Sequence, residues 1–225
     1  MTDSTEWARK NKKNIAREFI RKIDRLPSKH PSGIFTAGLP GAGKTEFTKE
    51  LIKEISGTEP LRIDMDEIAC LIEGYSPKKA NLFRLGASVI LAKIYDLTIK
   101  TKLDFIFDGT FGHEHAMENL ERAIHAGYTV KLYFIYQEPE IAWKFTSDRE
   151  LTEFRSIDRE GFLETYNQLY LNISKLRSQH KDVTVSVIIK TTDNKVGQRV
   201  ENVEDILKVI PRKLSQQELE NVIME

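Results

Sequence analysis

The chain has 225 residues, of which 40% are hydrophobic and 30% charged, a balance typical of a globular protein with enough apolar material for a buried core. Its 34 lysine and arginine residues equal its 34 aspartate and glutamate residues, so no overall field attracts nucleic acid or an anionic membrane. The single cysteine, Cys70, excludes an internal disulfide framework. The polar first residues and the lack of an apolar run of spanning length predict a cytoplasmic protein with no membrane partner.

Hydrophobic periodicity predicts helices and strands that alternate along the chain. The predicted strands cover residues 33–37, 61–63, 105–107, 129–136 and 183–190. The predicted helices cover residues 5–26, the segment after Thr45, residues 67–73, 78–100, 114–126, 141–149, 158–176, 202–210 and 215–224, with a mobile connection at 151–157. This alternation predicts an α/β fold, with a mostly parallel sheet of five or more strands and helices on both faces.

We expect a single domain, divided into an N-terminal helix with its linker (residues 1–32), a core (33–194) and C-terminal helices (195–225). The N-terminal helix has a sparse apolar stripe and a basic opposite face. The favoured interpretation is a solvated helix packed on the domain. The alternative is a contact surface for a partner or a membrane, because basic amphipathic helices also serve that purpose.

The most informative motif follows the first predicted strand and fits Gly-x-x-x-x-Gly-Lys-Thr. It consists of Gly38, Leu39, Pro40, Gly41, Ala42, Gly43, Lys44 and Thr45. The glycines let successive backbone N–H groups point at a phosphate, the lysine reaches the β- and γ-phosphates, and the threonine hydroxyl ligates Mg²⁺. A helix then begins at once, with its positive end toward the anion. The motif and its context predict phosphate binding on a P-loop NTPase-like fold.

Carboxylates follow two other predicted strands. Asp64 and Asp66 end the strand at 61–63, and Asp108 ends the strand at 105–107, just before Gly109 and Thr110. Ligands of such sheets bind at the carboxyl ends of the strands, so we expect these groups to share one cleft with the glycine-rich loop. Asp108 is the candidate Mg²⁺ carboxylate beside Thr45, or else a turn residue. Asp66 is a candidate general base, or else merely the N-cap of the next helix.

Two further groups are weaker candidates. Arg149 and Arg155 lie in the segment after the fourth predicted strand, where arginines can close over phosphates and stabilise transferring charge. The alternative is that they are surface residues paired with neighbouring acids. His113 and His115 resemble a metal pair but lack further ligands at suitable spacing, which favours a loop or helix-start position on the substrate side.

On these residues the chain resembles the zeta toxin family of small-molecule kinases, the toxin halves of epsilon–zeta toxin–antitoxin pairs. The resemblance runs from about residue 27 to residue 170. It rests on the loop with its Pro40, on the apolar-Asp-x-Asp run that ends at Asp66, on Asp108-Gly109-Thr110 after a strand, and on the two arginines. Phe111 departs from the small residue that often follows Gly-Thr in the family.

The resemblance implies that the γ-phosphate of ATP, with Mg²⁺, goes to the 3′-hydroxyl of a UDP-N-acetylated sugar. It implies that Asp66 is the general base, that Lys44, Arg149 and Arg155 hold the moving phosphate, and that Asp108 and Thr110 lie on the substrate side. It also implies an antitoxin as a possible partner. Two alternatives stay open. One is a kinase of another acceptor, namely a polynucleotide 5′-end, a nucleotide or an antibiotic, and the balanced charge disfavours nucleic acid. The other is a non-catalytic, nucleotide-gated binding module.

Overall fold

The computed structural model describes residues 3–21, 27–55, 59–153 and 157–223, with side chains at all of these except 149–153. In the described part of the chain, six strands form one sheet in the order β2-β3-β1-β4-β5-β6. They are β1 (Ser32–Ala37), β2 (Leu61–Asp64), β3 (Phe105–Asp108), β4 (Thr129–Tyr136), β5 (Thr184–Lys190) and β6 (Val196–Val200). β1 to β5 are parallel, and β6 runs antiparallel to β5.

Helices flank this sheet, so the predicted α/β class with a mostly parallel sheet is confirmed. The helices are α1 (Ser4–Arg21), α2 (Lys44–Glu54), α3 (Met65–Ala69), α4 (Arg84–Thr101), α5 (Ala116–His125), α6 (Pro139–Glu153), α7 (Arg159–Gln179) and α8 (Gln216–Val222). Two 3₁₀ segments cover Pro77–Phe83 and Ile206–Lys208. Among the described residues, none of these helices has the length and apolar character needed to cross a bilayer.

Several elements differ from the prediction. The long helix expected from residue 78 begins at Arg84, because Lys79 has non-helical backbone angles and residues 77–83 wind as a 3₁₀ segment. The mobile connection expected from residue 151 is helical up to Glu153, where α6 ends. The helix expected over 202–210 is only the short 3₁₀ turn Ile206–Lys208.

A further difference is β6, a strand that the periodicity did not predict. Its residues are exposed or half-buried, and they include a glycine, a glutamine and an arginine. Edge strands bury little side-chain surface, so their sequences lack the apolar alternation that identifies a central strand. β6 therefore takes its conformation from pairing with β5 rather than from a pattern of its own.

The core lies on the central strands. Phe35 of β1 packs edge-to-face against Phe105 of β3, with ring centroids 5.6 Å apart, and it stacks on Phe107 at the same distance. The buried ring of Tyr95 on α4 contacts both β3 phenylalanines edge-on. Such aromatic contacts add to the burial of large apolar surfaces. They fix β1 and β3 side by side, and so bring the carboxyl ends of these strands together.

Helix α1 packs against α4. Its Ala8 and Ala16 are fully buried, and a Cβ atom placed on Gly86 of α4 would lie 2.8 Å from the Ser4 carbonyl oxygen. The Ser4 hydroxyl donates a hydrogen bond to the Leu82 carbonyl oxygen, at 2.5 Å. Small residues thus permit a close contact between the two helices. The described part of the N-terminal helix is packed on the domain, as the favoured interpretation predicted.

Candidate active site

The glycine-rich loop connects the end of β1 to the start of α2, as the motif predicted. Gly41 has φ +79°, and a Cβ atom there would lie 2.1 Å from the Ala142 carbonyl oxygen of α6, so only glycine fits. The Gly38 N–H donates to the Thr110 carbonyl oxygen (3.0 Å), which ties the loop to the end of β3. The loop is therefore positioned by β3 on one side and by α6 on the other.

Gly43 is the N-cap of α2 and adopts a left-handed conformation, so the helix begins directly behind the loop. A helix N-terminus presents unpaired N–H groups and a partial positive charge, which favours an anion at this point. The Lys44 ammonium group donates to the carbonyl oxygens of Gly38 (3.1 Å) and Leu39 (2.7 Å) and so folds over the loop. This geometry is suited to a phosphate, and phosphate binding by the loop stays a prediction.

The turn between β5 and β6 rests against the same loop. A Cβ atom on Gly43 would lie 2.7 Å from the side-chain oxygen of Asn194, which adopts φ +62° in that turn. The buried Gln137 side chain, just after β4, donates to the Thr191 carbonyl oxygen at 2.9 Å and holds the turn in place. Neither residue was predicted, because the contact of Asn194 with the loop and that of Gln137 with the turn depend on the unpredicted strand β6.

Asp64 and Asp108 lie opposite each other in the parallel register of β2 and β3. Arg62 of β2 joins them. Its Nε and Nη2 atoms donate to Asp108 Oδ2 at 3.0 and 2.7 Å, and Nη2 also donates to Asp64 Oδ2 at 2.9 Å. Its Nη1 atom pairs with Glu67. The three carboxylates outweigh the effect of burial, which alone would lower the pKa of Arg62, and raise that pKa above its usual value.

Asp108 is tied to β1 as well. The Thr36 hydroxyl lies 3.1 Å from Asp108 Oδ1 and 2.9 Å from the Gly109 carbonyl oxygen, and it accepts the Gly109 N–H at 2.9 Å. With Arg62 on Oδ2, both oxygens of this buried carboxylate have hydrogen-bond partners. Asp108 and Thr45 nevertheless line the same cavity, of about 540 Å³.

Asp66 differs from these two buried acids. It is exposed in the first turn of α3 and lines both the 540 Å³ cavity and an adjoining one of about 240 Å³. The N-cap of α3 is Asp64, whose Oδ1 accepts the backbone N–H groups of Asp66 and Glu67, each at 2.9 Å. The alternative in which Asp66 only caps the helix is therefore wrong. Burial raises the pKa of Asp64 to about 6, against the lowering effect of the Glu67 N–H.

The 540 Å³ cavity brings most of the predicted residues together. Its lining contains the loop residues Pro40, Gly41, Gly43, Lys44 and Thr45 with the strand-end residues Asp64, Asp66, Asp108, Gly109 and Thr110. The two predicted arginines are not among the side chains that can be described. Arg149 belongs to α6, but its side chain lies outside the described part, and Arg155 lies outside the described residues altogether.

The histidine pair lies on the wall of the same cavity. Burial, followed by the nearby His115, lowers the pKa of His113. The exposed His115 contacts Glu114 and Glu118. In the described ranges, no group of three or more His, Cys, Asp or Glu side chains is arranged to hold a metal ion. The loop that carries the pair is held from behind by Asn172, whose amide donates to the carbonyl oxygens of Phe111 and His113, each at 2.9 Å.

Arg84 is a cavity residue that the sequence did not reveal. It begins α4 and lines three cavities: the two that contain Asp66, and a cleft of about 970 Å³ that continues along α7. Among the described residues, no hydrogen bond or ion pair involves its side chain. Because the helix was expected to begin six residues earlier, Arg84 was predicted to lie inside the helix rather than at its first residue.

Comparison with known proteins agrees with the fold described above. The family model described as Zeta toxin matches residues 17–203. A solved structure from the PezAT chromosomal toxin–antitoxin system of the human pathogen Streptococcus pneumoniae superposes with a TM-score of 0.69 at 17% identity, over 96% of this chain and 93% of that one. No protein with a curated description matches the sequence.

Two larger proteins share the fold. The AvrRxo1-ORF1:-ORF2 structure with ATP superposes with a TM-score of 0.57 at 14% identity, over 88% of this chain and 63% of that one. A chain of the Pnkp1/Rnl/Hen1 RNA repair complex superposes with a TM-score of 0.52 at 14% identity, over 79% of this chain and 50% of that one. At these identities the likeness extends to the fold alone.

Proposed function

This chain belongs to the zeta toxin family, and we propose that it is an ATP-dependent kinase that phosphorylates a hydroxyl group of a small molecule. One observation carries the proposal: the exposed carboxylate of Asp66 lines the same 540 Å³ cavity as Lys44 and Thr45. Phosphoryl transfer needs a cradle for the phosphates, cations on the moving charge and a group that orients or deprotonates the acceptor. The cavity offers the first and the third.

In the proposed mechanism, the loop amides and Lys44 hold the β- and γ-phosphates of ATP. Asp66 accepts the proton of the acceptor hydroxyl, whose oxygen then bonds to the γ-phosphorus. The bond between that phosphorus and the β,γ-bridging oxygen breaks, and ADP leaves with the electron pair. Asp66 suits the role because it is exposed to the cavity, whereas Asp64 and Asp108 are buried and bound to Arg62.

The residues also fit Mg²⁺. In nucleotide sites this ion usually takes only one or two protein ligands, with phosphates and waters at the remaining positions. The Thr45 hydroxyl would hold the ion directly. Asp108 would act through the ion's water ligands, because its Oδ2 already accepts two hydrogen bonds from Arg62 and its Oδ1 lies 3.1 Å from the Thr36 hydroxyl. The ion would neutralise charge on the transferring phosphate.

Helix α6 would supply one of the two arginines. Its Ala142 carbonyl abuts Gly41, and Thr146 lines the smaller Asp66 cavity. Position 149 falls on the same face as 142 and 146, because residues three, four and seven apart share a helix face. We therefore propose that Arg149, together with Arg155 beyond the end of α6, stabilises the γ-phosphate during transfer.

The proposed acceptor is a sugar nucleotide, a UDP-N-acetylated sugar phosphorylated at its 3′-hydroxyl. Arg84 supports an acceptor that carries a phosphate group, because this cation stands where the Asp66 cavities meet the longer cleft. A polynucleotide is disfavoured, since the carboxylates of Glu114, Asp158, Glu160 and Glu164 line that cleft and would repel a run of phosphates.

The decisive experiment incubates the purified protein with γ-labelled ATP and a panel of sugar nucleotides, nucleotides, aminoglycosides and oligonucleotides with a 5′-hydroxyl. Label in a UDP-N-acetylated sugar supports the full proposal. Label in another acceptor retains the kinase and replaces the substrate. Failure to label any member, with ATP still bound, favours the nucleotide-gated binding module.

The family and the PezAT neighbour also support a toxin role with an antitoxin partner. Expression of the wild-type chain should then slow growth of a bacterial host, and expression of Asp66→Asn at the same level should not. Equal growth of the two cultures would contradict toxicity from this site.

A further inference from the structure

Arg62 is the one cation that contacts Asp64, Glu67 and Asp108 among the described residues. Its guanidinium fork donates twice to Asp108 Oδ2, at 2.7 and 3.0 Å, and once to Asp64 Oδ2, at 2.9 Å. Arginine suits such a position because its donors lie in one rigid plane. Contacts at this distance, between a cation and two carboxylates, are the strong class of hydrogen bond.

The burial of the group makes these contacts consequential. The exposed fraction of the side chain is 12% for Arg62, 12% for Asp64 and 2% for Asp108. Two carboxylates at facing positions of neighbouring strands repel each other, and removal from water adds a desolvation cost. Without Arg62, each of the two buried carboxylates would carry its charge without a counter-ion. Each would then attract any other cation in the cavity.

We propose that Arg62 is a positioning residue that assigns different roles to the three aspartates of the site. This inference rests on the proposed function. By binding Asp64, Arg62 holds the N-cap whose Oδ1 accepts the N–H of Asp66, so Asp66 is presented to the cavity in a fixed turn. By binding Asp108, it keeps that carboxylate from ligating the nucleotide's metal ion directly, which leaves direct ligation to Thr45.

The proposal predicts two separate defects when Arg62 is replaced. Asp66 loses part of its support, so turnover falls while the KM for ATP stays close to the wild-type value. Asp108 and Asp64 lose their counter-ion, so a divalent cation binds the site more tightly than before. A residue that merely stabilised the fold would produce neither effect in the folded protein.

The test compares Arg62→Met and Arg62→Lys with the wild-type chain. Mn²⁺ binding in the presence of a non-hydrolysable ATP analogue is measured by electron paramagnetic resonance. The kcat and KM values are measured with γ-labelled ATP and a UDP-N-acetylated sugar as the acceptor. For Arg62→Met we expect Mn²⁺ to bind about tenfold more tightly, because one unit of positive charge near the metal site has been removed. The kcat of Arg62→Met should fall by about 10- to 100-fold, because a positioned catalytic group has been loosened. Arg62→Lys keeps the charge but loses the fork, so its Mn²⁺ affinity should stay near wild type while its kcat falls.

Arg199→Met is the matched control, because Arg199 also pairs with two glutamates and contacts a tyrosine hydroxyl, but it lies on β6 rather than at the cavity. It should leave Mn²⁺ affinity and kcat unchanged. Wild-type Mn²⁺ affinity in folded Arg62→Met would overturn the proposal. So would wild-type kcat in Arg62→Lys, which also decides the matter if Arg62→Met does not fold. The Mn²⁺ measurement needs no acceptor. If the wild-type chain were inactive, the proposed function would be contradicted, and the Mn²⁺ affinity of Arg62→Met would still decide the role of Arg62.

Discussion

The two walls of the cavity are built in different ways. The wall at the end of β1 is a continuous segment, Gly38–Thr45, whose shape depends on glycines at positions such as Gly41 that no other residue can occupy. The wall at the ends of β2 and β3 is assembled by a side chain, because Arg62 and Asp108 are 46 residues apart in sequence and 2.7 Å apart in space. The comparison teaches that the proposed phosphate site is encoded by a short local sequence, whereas the placement of the proposed reactive carboxylate depends on contacts between residues distant in sequence.

The largest effect should come from the loop wall. Lys44→Ala removes the cation proposed to reach the β- and γ-phosphates, so we expect ATP-dependent transfer to fall by about 10³-fold or more, as when a preorganised donor is lost from a phosphoryl-transfer site. Labelled-ATP transfer measures it. Lys53→Ala, an exposed lysine in the last turn of the same helix, is the control and should stay active. Normal turnover in Lys44→Ala would exclude the proposed site.

The opposite wall is tested by Asp66→Asn. Because asparagine keeps the shape but cannot accept the proton, kcat should fall by about 10²- to 10⁴-fold, the usual contribution of a general base. The KM for ATP should change little, in contrast to a loop variant. Glu118→Gln replaces an exposed carboxylate in the first turn of α5 and should match the wild type. If Asp66→Asn retained full turnover, the reactive carboxylate would have to lie elsewhere.

A third experiment asks whether Arg149 of α6 and Arg155, which follows α6 in sequence, act on the phosphate held by the loop wall. We expect Arg149→Ala and Arg155→Ala each to lower kcat by about 10²-fold through loss of transition-state charge stabilisation, with ATP affinity less affected. Steady-state kinetics together with equilibrium binding of an ATP analogue separate the two quantities. Lys144→Ala, an exposed cation on the same helix, serves as the control. Unchanged kinetics in both arginine variants would make them surface residues.

The smallest effect is expected for a glycine substitution, which tests whether the shape of the loop requires glycine at position 41. Gly41 and Gly74 have nearly equal φ angles, +79° and +77°, but a Cβ atom at Gly41 would meet the Ala142 carbonyl oxygen at 2.1 Å, whereas at Gly74 it would meet nothing within 4 Å. Gly74→Ala should therefore cost only the left-handed backbone penalty, about 1–2 kcal/mol in the free energy of unfolding. Gly41→Ala should cost more and also weaken ATP binding by about tenfold or more, because a displaced loop loses an amide contact with the phosphates. Thermal unfolding and ATP titration measure both, and equal losses in the two variants would contradict steric exclusion at Gly41.

What could be predicted from the sequence follows the same division between the local loop segment and the wall assembled by long-range contacts. The five parallel strands, the loop and the carboxylates at the strand ends could be predicted because each has a short continuous sequence pattern. Arg62 directly precedes the apolar-Asp-x-Asp run that ends at Asp66. Its role depends on the register that sets Asp64 opposite Asp108, and no local pattern gives a register. Arg84 was obscured by a helix start placed too early, since Lys79 interrupts an otherwise helical sequence through its backbone angles alone.

The turn between β5 and β6 has a consequence for communication within the molecule. Asn194 in that turn abuts Gly43, and Gly43 caps the helix behind the phosphate cradle. The outermost strand of the sheet is therefore joined to the proposed nucleotide site through the Asn194 side chain, in addition to the ion pair between Arg199 of β6 and Glu54 of α2. If ATP binds the proposed site, hydrogen–deuterium exchange in the β6 backbone should slow, so that the edge of the sheet reports whether the site is occupied.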